Sequence, residues 1–216
     1  MSNWFADREN NDVSDTAPPK LALTPSDSIR LKPSGKPARY MVDSYLEWAE
    51  KEEAPVIEDF GVDLTTAETG SWSRIGDRCK GAFIHLKGRG DWMSVFLLDI
   101  PPGGKSAPQR HIYDEIFFVI SGHGNMVVET ADGAKQTFEW GPRSLFSPPL
   151  NCWYRMHNLG SDTAKFVTYN RAPAVFNEYC SPEFVFNCPY SFRDRFNGED
   201  NYFQASARPQ RGGTRN

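Results

Sequence analysis

Residues 101–124 read PPGGKSAPQRHIYDEIFFVISGHG, and the alternation inside this stretch decides the architecture. After the breaker Pro101-Pro102-Gly103-Gly104, the run Glu115–Ser121 (EIFFVIS) has strand length and is closed by the turn signal GHGN at Gly122–Asn125. A strand repeats every two residues, so Glu115, Phe117 and Val119 share one face. A carboxylate on an apolar face is costly unless it meets a metal, a cation or hydrogen-bond donors. Gln109 and His111 stand two apart and, if extended, also point to a common side.

The same pattern continues outward in both directions. GAFIHL (81–86) and WMSVFLLDI (92–100) are apolar runs of strand length, with Arg89-Gly90-Asp91 between them as a hairpin connection. On the other side come MVVET (126–130), the turn Ala131-Asp132-Gly133, KQTFEW (135–140), SLFSPP (144–149), NCWYRMHN (151–158) and TAKFVTYN (163–170). Many short strands at regular spacing, punctuated by Gly and Pro, predict an all-β sandwich or barrel over 81–175. No second copy of the pattern occurs, so the 216 residues suit one core with extensions.

Residues 1–40 are polar and proline-punctuated and predict an extended or mobile arm. The lead-in 41–80 contains SYLEWAEKEE, where Ser44 and Glu47 have capping-box spacing and Val42, Tyr45, Leu46 and Ala49 recur at helical intervals. One short amphipathic helix is expected there, closed by Pro55. Residues 176–216 are aromatic-rich and irregular in pattern, an extension expected to pack on the barrel and end in a mobile tail.

A net charge of −4 supplies no electrostatic reason for nucleic acid or an anionic membrane as partner. The opening MSNWFADRENNDVSDT has neither the charged nor the apolar region of a signal peptide, and no run reaches membrane-spanning length. Cys79, Cys152, Cys180 and Cys188 show no CxxC spacing and read as reduced thiols in a cytoplasmic protein.

The central stretch resembles the first motif of the cupin superfamily: His-x-His, then a Glu, then a glycine. His111, Glu115 and Gly122 match it, with Gln109 where the first His is usual. GPRSLFSPPLNCWYRMHN (141–158) resembles the second motif, with Gly141, Pro148 or Pro149, and Asn158 in place and Tyr154 at the histidine position. More narrowly, RHIYDEI, FEWGPRSLFSPPLN, the FVFN-P-aromatic run and DRF-NGED-YF resemble cupins of the ethanolamine ammonia lyase-activating-like kind.

The resemblance implies a double-stranded β-helix, the RmlC-like jelly-roll barrel, with a divalent metal on three His and one Glu. It also implies a homodimer. Here the implied metal positions hold Gln109, His111, Glu115 and Tyr154. Amide and protonated phenol oxygens are poor ligands, so iron or manganese on Gln109, His111 and Glu115 stands beside a metal-free pocket as an expectation. The catalytic candidates are His111 to take or give a proton, Glu115 to orient it, and Tyr154 to stabilise an oxyanion. Arg110 or Arg155 is the alternative partner for Glu115, as a structural ion pair. His157, odd in parity relative to Tyr154, should point away from the pocket. Two functions follow as expectations. One is an enzyme acting on a small carbonyl or carboxylate molecule, a lyase or isomerase or a dioxygenase. The other is a non-catalytic small-molecule-binding or enzyme-activating cupin.

Overall fold

A computed structural model describes residues 43–88 and 92–203. The expected N-terminal arm, the Arg89-Gly90-Asp91 connection and the far C-terminal tail lie outside the described residues. Helix α1 (Asp43–Lys51) leads into strands β1 (Val56–Asp59) and β2 (Gly70–Ser71), a single 3-10 turn (Ser73–Ile75), and strands β3 (Lys80–Leu86) and β4 (Ser94–Ile100). Six more strands follow: β5 (Glu115–Ser121), β6 (Gly124–Glu129), β7 (Lys135–Trp140), β8 (Leu145–Phe146), β9 (Trp153–Asn158) and β10 (Ala164–Asn170). Helices α2 (Ala172–Tyr179) and α3 (Pro182–Asn187) follow, and residues 188–203 run on without helix or strand.

The strands form two sheets. One runs β1-β3-β4-β10-β5-β8, with β2 on β3; the other runs β7-β6-β9. All pairings are antiparallel except β1 on β3. Their inner faces meet in one core, because alternate residues of each strand are apolar and buried. Phe117 and Val119 of β5, Met126 and Val128 of β6, Met156 of β9 and Phe166 of β10 belong to the same buried cluster. Trp140 meets Phe166 edge-on at 4.8 Å across the gap between the sheets. The all-β cupin-type architecture with a short N-terminal helix is therefore what the strand pattern predicted.

The turns use glycine where the backbone demands it. Gly122, between β5 and β6, has φ 89°, and a Cβ there would fall 2.6 Å from the Cα of Ala164. Only glycine meets both conditions cheaply. Asn158 locks the adjacent corner. Buried at the end of β9, it directs its amide N–H groups at the carbonyls of Ile100, Pro101 and Asp162 and accepts the N–H of Gly160 through Oδ1.

Three local expectations need correction. Ser44 does not cap α1: it sits inside the helix and its hydroxyl donates to the Phe176 carbonyl at 2.8 Å, tying α1 to α2. The C-terminal extension is more regular than its sequence suggested. Pro173 and Pro182 start the two helices, where a missing N–H costs nothing, and Ser181 caps α3 by accepting the Phe184 N–H. SLFSPP yields only the two-residue β8, since Pro148 and Pro149 cannot donate to a ladder.

Helices α1, α2 and α3 close one end of the sandwich with rings. Trp48 stacks on Phe176 at 5.1 Å and meets Phe83 and Phe186 at 5.5 and 5.4 Å. Burying each such side chain contributes roughly 1.5–3 kcal/mol, which is what holds so short a helix as α1 in place. Among the described residues no helix is long and apolar enough to cross a membrane.

Replacing Asn158 with Ala should lower the unfolding free energy by about 2–4 kcal/mol, because several carbonyls lose their donor in a dry corner. Urea denaturation checks this; a loss below about 1 kcal/mol would mean that water replaces the amide there.

Candidate functional site

The site is assembled by a segment that is not a regular strand. Residues 104–111 run antiparallel beside β9, held by Asn158 N–H to Gly104 O, Ser106 N–H to Met156 O, and the reciprocal Gln109–Tyr154 pair at 2.8 and 2.9 Å. Pro108 has no N–H to give, and the Ala107 N–H turns aside to the Ile75 carbonyl, so the pairing breaks into isolated bridges. The irregularity lets His111 leave the edge and swing toward β5.

There it meets Glu115 and Tyr154. His111 Nε2 lies 3.0 Å from Glu115 Oε2 and 3.2 Å from Tyr154 Oη, and the Tyr154 hydroxyl donates to the same Glu115 oxygen at 3.0 Å. All three residues are about 95% buried. The other imidazole nitrogen, Nδ1, lies 2.8 Å from the Tyr113 carbonyl. A carbonyl only accepts, so Nδ1 carries a hydrogen. Nε2 then faces a carboxyl oxygen, and that contact needs a proton on one side or the other. His111 and Glu115 together therefore hold one proton beyond the neutral imidazole and the carboxylate, and their summed charge is zero in either arrangement. Neither Arg110 nor Arg155 takes the ion-pair role considered for Glu115. Arg110 donates instead to Asn151 Oδ1 and to the Cys188 carbonyl.

The Tyr113 ring stacks on His111 with centroids 3.7 Å apart and planes 4° from parallel. Burial, seconded by the negative charge of Glu115, pushes the Tyr113 and Tyr154 phenols well above the ordinary tyrosine value of 10.0. Both stay protonated.

A cavity of about 30 Å³ opens beside the triad. A space of that size has room for about two waters or a ligand of a few heavy atoms. Trp48, Trp72, Phe96 and Phe117 wall it with rings, while Arg74, Gln109, Tyr113, Glu115 and Tyr154 supply polar atoms. His111 is not on the wall; it reaches the cavity through Glu115 and Tyr154. This reverses two expected roles: the carboxyl group meets the space, and the imidazole stands behind it. Gln109 lines the cavity, but its amide nitrogen donates to the Arg74 carbonyl at 2.6 Å. His157 points away, bonded through Nδ1 to Asn125 Oδ1 on the outer face of the three-stranded sheet.

The cupin resemblance implies a metal at this place, and these residues do not fit one. Only His111 and Glu115 are standard ligands, Tyr154 is held as a neutral phenol that donates, and the Gln109 amide is engaged with backbone. Among the described residues no group of three His, Cys, Asp or Glu side chains is placed to hold an ion.

Sequence reasoning missed Arg74, Trp48, Trp72 and Tyr113. Tyr113 was findable, since it lies two residues after His111. The others arrive from the N-terminal lead-in, where nothing local marks them.

Residues 96–169 match the cupin domain family. The match takes in His111, Glu115 and Tyr154, while Trp48, Trp72 and Arg74 on the cavity wall lie outside it. No curated protein matches the chain in sequence. Among solved structures it is similar to the Lactobacillus farciminis oxalate decarboxylase in its formate complex, at 17% identity and TM-score 0.43, over 51% of this chain and 32% of that one. The aligned part is thus about a third of that enzyme. It is likewise similar to the Schizosaccharomyces pombe Cnp3 cupin domain, at 16% identity and TM-score 0.43, over 55% of this chain and 72% of that one. A cupin-2 domain protein from Rhodospirillum rubrum, Rru_A2000, aligns at 17% identity and TM-score 0.39, over 49% of this chain and 67% of that one.

The two raised phenols set an alkaline limit on the fold. A tyrosine whose folded value exceeds its unfolded value adds stability that is whole below pH 10.0 and is lost as pH rises through the folded value. Phenolate absorbance should therefore leave these two tyrosines silent until the protein unfolds. Tyr154→Phe should remove one of the late-titrating groups. Titration of every tyrosine near pH 10.0, before unfolding, would contradict the burial described.

Proposed function

We propose that the protein is an acid/base cupin that moves a proton on a small carbonyl compound, as in enolisation or isomerisation. The observation that carries this reading is the 3.0 Å contact between His111 Nε2 and Glu115 Oε2, which calls for a proton between them, at the edge of a small, mostly apolar cavity. A buried carboxyl group whose proton is held by a neighbouring base is poised to exchange it. Glu115 is the group that meets the substrate, the Tyr113 hydroxyl on the cavity wall donates a hydrogen bond to the charge that develops on the substrate oxygen, Tyr154 holds Glu115 in place, and His111 holds and returns the proton. The apolar walls exclude water, which strengthens each of these interactions. The donor set, with two standard metal ligands, supports a route in which the chain's own side chains carry the proton.

The test works without the natural substrate in hand. A panel of small ketones, aldehydes and amides is incubated in heavy water with chelated protein, and exchange of the α-hydrogens is followed by NMR. Exchange above background should appear with the wild type and fall by about a hundredfold or more in Glu115→Gln. His111→Ala should retain part of the rate with a displaced pH profile. Exchange that appears only after divalent metal is restored would overturn the reading. Binding without exchange would leave a non-catalytic small-molecule-binding cupin, a role that the incomplete ligand set also suits.

A further inference from the structure

The charged groups on the cavity wall cancel, and from this we infer that its ligand is a small neutral carbonyl compound carrying an N–H or O–H donor, rather than a carboxylate. The inference rests on the cavity being the functional site, as in the preceding reading, but not on any proton transfer there.

Arg74 is the one cation among the lining residues, and it is already matched. Its Nε and Nη2 lie 2.8 and 2.7 Å from Glu52 Oε1, and Glu52 is itself largely buried. The guanidinium is also packed 3.9 Å over the Phe186 ring, so turning it to another anion would break both contacts. The other charged lining group, Glu115, is balanced by the proton it shares with His111. No positive charge is left over for an anion entering a small, mostly apolar space, and desolvating that anion would go unrewarded.

Several polar atoms on the wall are open, among them the buried Trp48 indole N–H, which has no hydrogen-bond partner among the described residues, and a phenol and a carboxyl oxygen. Tyr113 lines the cavity, is 5% exposed, and its hydroxyl makes no hydrogen bond among the described residues. Glu115 uses Oε2 for both His111 and Tyr154, leaving Oε1 without a hydrogen bond among the described residues. A carbonyl oxygen suits the phenol and a neighbouring N–H or O–H suits the carboxyl oxygen. A carboxylate would satisfy the first and be repelled by the second.

Acetamide and acetate have nearly the same shape and differ in charge, which makes them the probes. Ligand-observed saturation-transfer NMR titrations against the full chain should detect acetamide and find acetate at least tenfold weaker. Tyr113→Phe keeps the ring stacked on His111 and should weaken acetamide by roughly tenfold, the worth of one hydrogen bond, at unchanged melting temperature. Acetate binding as well as acetamide, with the acetate lost in Arg74→Gln, would overturn the inference. So would failure to bind either probe, or acetamide binding indifferent to Tyr113→Phe. Acetamide binding without α-hydrogen exchange on any panel member would retire the catalytic reading and leave this one standing.

Discussion

A carboxylate cannot sit 96% buried without donors, and Glu115 has two, both on Oε2. That requirement organises the end of the sandwich. The Tyr154 hydroxyl arrives from β9 and the His111 nitrogen from the irregular segment before β5, both at one oxygen, and a proton must accompany them. If the triad lost either donor, a buried charge would be stranded, at a cost of several kcal/mol.

Two departures from regular β-structure make the meeting possible. The edge segment 104–111 pairs with β9 only where Pro108 and the diverted Ala107 N–H allow, and the slack carries His111 out of the ladder toward β5. The Tyr113 carbonyl then holds Nδ1, so the ring presents Nε2 to Glu115 in one orientation. Behind it the Tyr113 ring lies flat against the imidazole and fills the space that water would take. Strained or irregular backbone at a site is a common arrangement, because a regular ladder turns its side chains only up or down.

The lead-in and the C-terminal helices matter to the site as much as the sandwich does. Trp48 and Trp72 cap the cavity, and Glu52 serves both sides of that cap. It accepts Trp72 Nε1 at 2.9 Å and holds Arg74. Phe186 of α3 supports the Arg74 guanidinium from the other side. Segments that looked peripheral in the sequence thus determine the cavity's size and charge.

What the sequence by itself determined is whatever obeys a local period. The inward placement of Glu115 with Phe117 and Val119, of Tyr154 with Met156 and Asn158, and the outward turn of His157 all follow from alternation, because successive Cβ atoms of a strand point to opposite faces wherever the strand lies. Glycine and proline marked the turns for an equally local reason. Only the tertiary structure decided that His111 and Tyr154 meet on one oxygen of Glu115, that Arg74 is neutralised by Glu52, and that Tyr113 rather than His111 stands on the cavity wall. Those facts depend on distances between residues far apart along the chain and on where prolines interrupt a ladder. Such distances emerge only when the two sheets and the three helices pack, and no periodicity encodes them.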